Sequence, residues 1–152
     1  MEIKKLGQKE RQDTRFLYEE IFSEDSESFT DYYYTEKTRD NQIYAIEEDG
    51  RIRSMLHLNP YRLWVNKSRK DADYIVAVAT QKEYRRKGYM AALLKRSLKD
   101  MYKDGKAFTF LMPASESIYQ PFDFRTVYQQ ERRFYREEDE KLPGVVITDA
   151  SK

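Results

Sequence analysis

Apolar positions along the chain switch between two spacings, and the switches mark out the elements. Ile3 and Leu6 predict a short N-terminal strand. From about Lys9 to Phe22 the spacing is helical, with Phe16, Leu17, Ile21 and Phe22 near one face. The stretch SEDSESFTDYYYTEKT opens on Ser and Asp, which cap helices well, and predicts a second short helix over about Phe29–Thr35. Two strand-like runs, Gln42–Glu47 and Ile52–Leu58, flank Glu48-Asp49-Gly50-Arg51; Asp-Gly in that setting predicts a hairpin. Tyr74–Thr80 is almost unbroken in its apolar character, as in a strand buried on both faces.

The helical period returns from Arg86 to Lys103, where Met90, Leu93, Leu94, Leu98 and Met101 form one stripe and Gly105 follows as a C-terminal cap. Phe108–Met112 is a second buried strand, so strand, helix and strand predict a right-handed parallel unit. Pro113 ends it. Ala114–Tyr119 reads as a short helix or turn stopped by Pro121, and Val127–Arg136 as a strand. The tail from about 138 to 152 is either a further strand or loose chain. The order predicts an α/β fold, a mixed central β-sheet flanked by helices, in one domain spanning 1–152.

Composition narrows the chemistry. The 152 residues contain no cysteine, which removes disulfides, thiolate metal sites and a Cys nucleophile. The single histidine, His57, rules out a multi-histidine metal centre, and no metal is expected. No signal peptide and no run of transmembrane length is evident, so a cytoplasmic protein without a membrane partner is expected. The net charge of +1 conceals an asymmetry. Residues 1–50 hold 7 basic and 14 acidic side chains, whereas residues 82–106 hold 9 basic and 3 acidic. Such a chain can hold ligands of opposite sign on its two halves, or simply present two solvated surfaces. Near-zero net charge argues against nucleic acid as a partner. The oligomeric state is open, a homo-oligomer included.

The most informative segment joins the strand ending at Thr80 to the helix that follows, and it holds Arg85, Arg86, Lys87 and Gly88. Cations in a first helical turn oppose the macrodipole at ~0.3–1 kcal/mol each, which an anionic ligand would offset. Free backbone N–H groups beside a glycine make a cradle suited to a pyrophosphate, although a solvated basic turn has the same composition.

Arg85-x-x-Gly88 after an apolar strand resembles the acetyl-CoA signature of the GNAT superfamily of N-acetyltransferases, Arg/Gln-x-x-Gly-x-Gly/Ala. A second segment, from Phe110-Leu-Met-Pro-Ala114 through Tyr119 to Phe124, is similar to that family's next strand, short helix and Tyr-x-x-(Gly)-Phe ending. The wording of both is most similar to the N-terminal GNAT domain of the enhanced-intracellular-survival (Eis) acetyltransferases. Met90 stands where the signature has a third small residue, and Asp123 where the family usually has Gly.

The resemblance implies transfer of an acetyl group from acetyl-CoA to a primary amine on an aminoglycoside, a polyamine or a lysine side chain, small molecule or peptide; with no Cys to carry the acetyl and no triad around His57, direct transfer in a ternary complex is expected. It places the acetyl and pantetheine along Val78, Ala79 and Thr80, with the Val78 amide facing the carbonyl. Arg85, Arg86, Lys87, Gly88, Tyr89, Met90 and Ala91 surround the pyrophosphate, and Ala114 and Ser115 flank the cofactor. Tyr119 matches the family's general acid; a phenol with an ordinary pKa of about 10 keeps a proton to give.

No base is assigned. Tyr74 stands where many GNAT enzymes have Glu, and Eis-like proteins use the carboxylate that ends a separate C-terminal domain, whereas this chain ends at Lys152. His57 has the right ordinary pKa but on a strand is equally a packed side chain; water relayed to a carboxylate is a further route. The acceptor is expected at the acidic N-terminal helices, which carry Glu19, Glu20, Glu24, Asp25, Glu27 and Asp31 beside Phe29, Tyr32, Tyr33 and Tyr34. A non-catalytic acyl-CoA-binding domain, or a fragment of a longer Eis-like protein, is the alternative.

Overall fold

The computed structural model describes residues 2–129 and 131. They fall into two units, Met1–Met112 and Pro113 onwards. The first holds a five-stranded sheet in the order β1-β2-β3-β4-β5. Strands β1 (Ile3–Lys5), β2 (Gln42–Glu48), β3 (Arg51–Val65) and β4 (Ser68–Thr80) are mutually antiparallel, and β5 (Thr109–Phe110) runs parallel to β4. The sheet is therefore mixed, as the element order predicts.

Alternation along the strands gives the sheet two apolar faces. Ile43 and Ala45 of β2 with Met55 of β3 pack beneath α1 (Arg15–Ile21) and α2 (Glu27–Thr35), whose Leu17, Tyr18, Tyr33 and Tyr34 complete one core. The expected first helix starts as a 3-10 turn at Arg11–Thr14 before becoming α-helical. The second starts at Glu27, two residues upstream of the predicted start, because the Ser26 side chain accepts from the Phe29 N–H as its N-cap.

Helix α3 (Tyr89–Lys103) buries Leu93, Leu94, Ser97 and Met101. The two leucines are fully buried and contribute about 1.5–3 kcal/mol each. Gly105 closes the helix in the left-handed region (φ 73°), with Lys106 N–H reaching back to the Met101 carbonyl, the expected C-terminal cap. The chain then returns to β5 beside β4, so β4-α3-β5 forms the predicted parallel unit.

Four expected strands come out differently. β3 and β4 run far beyond the predicted spans, joined by a tight turn at Asn66-Lys67, both in the left-handed region. β5 has two residues rather than five. In the second unit, α4 (Glu116–Tyr119) runs into a 3-10 turn over Gln120–Phe122, and Val127–Gln129 are irregular. The rest of the expected strand to Arg136, and the tail, lie outside the described residues. No helix among the described residues is long and apolar enough to cross a membrane.

Candidate functional site: a bulged strand and a left-handed helix start

The segment singled out by sequence sits where β4 gives way to α3. Opposite β4, the register slips: Met55 pairs with Ala79 but His57 pairs with Val76. The extra residue is accommodated by Ala77, whose φ of 50° is left-handed in the middle of a strand. A β-bulge of this kind leaves one residue out of the ladder and re-aims the backbone groups beside it. Val78 is the next residue. On the other side, pairing with β5 ends at Tyr74, so from Ile75 to Thr80 that edge of β4 has no strand partner among the described residues. No strand among the described residues takes up the N–H and C=O groups on that side.

Past the bulge the chain is tied down. The Ser54 hydroxyl donates to the Ala79 carbonyl at 2.9 Å and lies 2.8 Å from the Thr80 hydroxyl, so the Thr80 side chain turns toward β3. Gln81 N–H donates to the Arg53 carbonyl, and the Gln81 side-chain amide donates to the Glu20 carboxylate at 3.2 Å. That last contact brings a carboxylate of α1 to the end of β4.

The cations are not in the first helical turn. The chain makes a 3-10 turn at Lys82–Tyr84, Arg86 adopts a left-handed φ of 63°, and Gly88 (φ 81°) is the residue before the helix, which begins at Tyr89 rather than Arg86. The cause is steric. Two left-handed residues in quick succession cannot belong to a right-handed helix, and Gly88 adopts that conformation without a Cβ penalty. Arg85 folds back, donating from Nε to the Thr80 carbonyl at 3.1 Å, and thereby braces the loop. Lys87 and Arg53 both lie over the Tyr84 ring, at 4.3 and 4.6 Å. Tyr89 is anchored by a hydrogen bond to Glu48, which together with burial pushes its phenol up to about 12.

The predicted pyrophosphate set thus splits into two kinds of group. The N–H groups of Tyr89, Met90 and Ala91 open the helix and lack intrahelical acceptors. A Cβ on Gly88, the residue before them, would meet nothing within 4 Å, so no side chain or backbone crowds that position. Donors, dipole and room fit a phosphate.

In the second unit, Ser115 precedes α4, its hydroxyl 2.9 Å from that of Ser117, and Ala114 is exposed. The half-buried Tyr119 ring packs edge-on against Phe124 at 5.8 Å. Asp123 takes a left-handed φ of 63°, a conformation natural to Gly that a short polar residue such as Asp also adopts.

His57 does not fit the role of base. It is fully buried between strand and α2, stacked on Tyr33, with Nδ1 3.0 Å from the Tyr33 hydroxyl and Nε2 unpartnered. Burial, helped by the Arg11 charge, pushes its pKa down to about 3. Tyr33 and Tyr34 are likewise core residues and not available to an acceptor, whereas Phe29 and Tyr32 are exposed. An open groove of about 710 Å³ lies elsewhere, lined by residues that include Lys4, Phe16, Glu47 and Arg51; it contains none of the predicted site residues.

A stability prediction follows from His57. Its native pKa lies below the unfolded value, so between about pH 6.5 and 3 the unfolded chain binds a proton that the folded chain refuses. The contribution is complete above pH 6.5 and is lost as pH falls. With no other histidine, urea unfolding should show stability falling by about 2 kcal/mol from pH 7 to pH 5. A folded His57→Gln variant should lose that slope; an unchanged slope would contradict the burial.

Residues 2–127 match the model of the acetyltransferase (GNAT) domain family. The chain belongs to the GNAT family. GNAT enzymes transfer an acyl group from acetyl-CoA to an acceptor. Among solved structures with the same fold is a conserved Enterococcus faecalis protein described as a probable N-acyltransferase, at 24% identity and a TM-score of 0.73. That match covers 80% of this chain and 31% of that one, so the GNAT domain spans about a third of the Enterococcus protein. A predicted acetyltransferase from Clostridium acetobutylicum, solved with acetyl-CoA, is 14% identical with a TM-score of 0.72, covering 87% and 95% of the two chains. Glucosamine-6-phosphate N-acetyltransferase from Arabidopsis thaliana is 16% identical with a TM-score of 0.67, covering 89% and 98%. No curated protein sequence matches the chain.

The bulge at Ala77 and the Arg53–Tyr84–Lys87 stack are features of this segment that the sequence does not reveal. Neither has a composition signal, since Ala, Tyr and Arg occur throughout the chain.

Proposed function

We propose that this GNAT domain is an N-acetyltransferase that moves the acetyl group of acetyl-CoA directly to a primary amine in a ternary complex. The observation that carries it is the coincidence of the bulge at Ala77, the unpaired edge Ile75–Thr80 and the open helix start after Gly88 along one continuous stretch of chain. Acetyl-CoA supplies the activated acetyl thioester. The chain supplies alignment and charge: the Val78 amide polarises the carbonyl, the β4 edge orients the pantetheine, and the N–H groups of Tyr89–Ala91 hold the pyrophosphate. Arg85 braces this loop from its bond to Thr80. Ala114 and Ser115 flank the cofactor, and Tyr119 gives its proton to the departing thiolate.

Residues 1–152 act as one domain of the Eis-like kind, working in the cytoplasm on an aminoglycoside, a polyamine or a lysine side chain. The carboxylates of the α1–α2 segment support a cationic acceptor. Glu20, held at the end of β4 by Gln81, is the carboxylate through which a water would take the amine proton. Burial of His57 and the presence of Tyr74 in place of Glu favour a second reading, an acyl-CoA-binding domain without turnover.

Thiol release from acetyl-CoA across a panel of aminoglycosides, polyamines and lysine peptides separates the two. Turnover with any of these amines supports the transferase. Stabilisation by acetyl-CoA with no thiol release from any amine supports the binding domain. Direct transfer also predicts that intact mass after incubation with acetyl-CoA alone shows no acetyl-enzyme that discharges on adding amine, because the chain has no Cys and His57 is buried.

A further inference from the structure

The β3–β4 hairpin outgrows the sheet. β2 pairs with β3 only as far as Leu58, and β5 pairs with β4 only at Asp73 and Tyr74. From Tyr61↔Ala72 to Val65↔Ser68 the two strands pair only with each other among the described strands, a free ribbon roughly 17 Å long. Two-stranded ribbons are marginal in water unless something covers them. This one carries the chain's only tryptophan, Trp64, 70% exposed beside Arg69, whose guanidinium lies 5.4 Å from the ring centre. Residues 61–72 hold Arg62, Lys67, Arg69 and Lys70 against a single acid, Asp71. An exposed Trp beside an arginine, on a ribbon end with an excess of cations, has the composition of an interface centre.

A complementary surface lies on the same chain. Residues 24–36 hold five acids (Glu24, Asp25, Glu27, Asp31 and Glu36) and no Lys or Arg. Within them, α2 exposes Phe29 (43%) and Tyr32 (49%), one helical turn apart with ring centres 6.5 Å from each other. Asp31 and Glu36 are paired with Arg15 and Arg39, and Arg62 with Asp71, so the charges left over are chiefly Glu24 and Glu27 beside the α2 aromatics and Lys67, Arg69 and Lys70 beside Trp64.

We propose that the ribbon of one copy docks on the α2 face of a second copy, with Trp64 against Phe29 and Tyr32 and the ribbon cations against the α2 carboxylates. Near-neutral net charge favours a second copy over a polyanion, because the whole chain does not repel itself while its two patches attract. Docking in both directions about a two-fold axis closes a dimer, whereas one-way docking would extend into a ring or filament. This association goes beyond the acetyl-transfer reading and is tested without acetyl-CoA or amine, so either can fail alone.

Sedimentation and Trp64 emission are read together from 1 to 200 µM protein. At about 0.05 M salt the wild type should associate with rising concentration while its emission shifts to the blue. At about 1 M salt, where screening shortens to roughly 3 Å, association should weaken at least tenfold. Trp64→Ala, at an exposed tip position, should weaken it at least tenfold without loss of fold. Arg69→Glu with Lys70→Glu in one chain, and Glu24→Lys with Glu27→Lys in another, should each abolish self-association, and an equimolar mixture of the two should restore pairing.

A wild type that stays monomeric throughout would overturn the proposal. So would association unaffected by both charge reversals, or emission that shifts only on adding an oligonucleotide or anionic vesicles while the protein stays monomeric.

Discussion

Tyr119→Phe is expected to lower kcat by ~10²–10⁴, about 3–5 kcal/mol in the barrier, while leaving acetyl-CoA binding intact. The ring stays the same size, so its edge-on packing against Phe124 survives and only the hydroxyl is lost. Without it, the thiolate leaves unprotonated or takes its proton from water. A thiol of pKa near ~8.5 is a tolerable leaving group, so a loss at the small end would indicate that water substitutes. The deficit should shrink as buffer acid is added, since an outside donor can replace the phenol. Steady-state kinetics with whichever amine turns over, together with a direct acetyl-CoA binding measurement, decides the matter. Unchanged kcat makes Tyr119 a packing residue.

Gly88→Asp should abolish the stabilisation that acetyl-CoA gives the wild type. At a hundred times Kd a ligand that binds only the folded state adds about 2.7 kcal/mol, or roughly 5–10 °C in Tm for a domain of this size. The substitution adds a carboxylate at the residue just before the N–H groups of Tyr89–Ala91, next to where the proposed pyrophosphate would lie. The fold should persist, because the new Cβ meets nothing within 4 Å and the left-handed φ of 81° costs Asp only about 1 kcal/mol. Gly88→Ala carries the same backbone strain without the charge and should keep part of the shift. Differential scanning with and without acetyl-CoA reads all three proteins. A full shift in a folded Gly88→Asp would place the pyrophosphate elsewhere.

His57 shows how a residue type misleads when its surroundings are invisible. A free imidazole titrates near neutrality, which makes any lone histidine a candidate base. Stacked on Tyr33 and cut off from water, the same ring is held neutral down to about pH 3. The cations of 85–87 carry a second lesson. Their composition places them in the first turn of a helix, but two left-handed residues hold them ahead of it, and Arg85 folds back onto the Thr80 carbonyl.

Sequence by itself determined the element order, the mixed α/β sheet, the parallel β4-α3-β5 unit and the segment that carries the signature. These depend on side-chain periodicity and on local devices such as the Asp-Gly turn and the Gly105 cap, all written within a few residues. Only the tertiary structure decided the bulge at Ala77, the early parting of β4 from β5, the exact start of α3 and the length of the β3–β4 ribbon. Each depends on pairing between strands or on a backbone dihedral, and neither leaves a periodic trace. The ribbon is the plainest case. Between Asn59 and Asp73 the apolar residues are too few to mark a buried strand, yet the Asn66-Lys67 turn and the register inherited from the sheet carry two strands out past their neighbours.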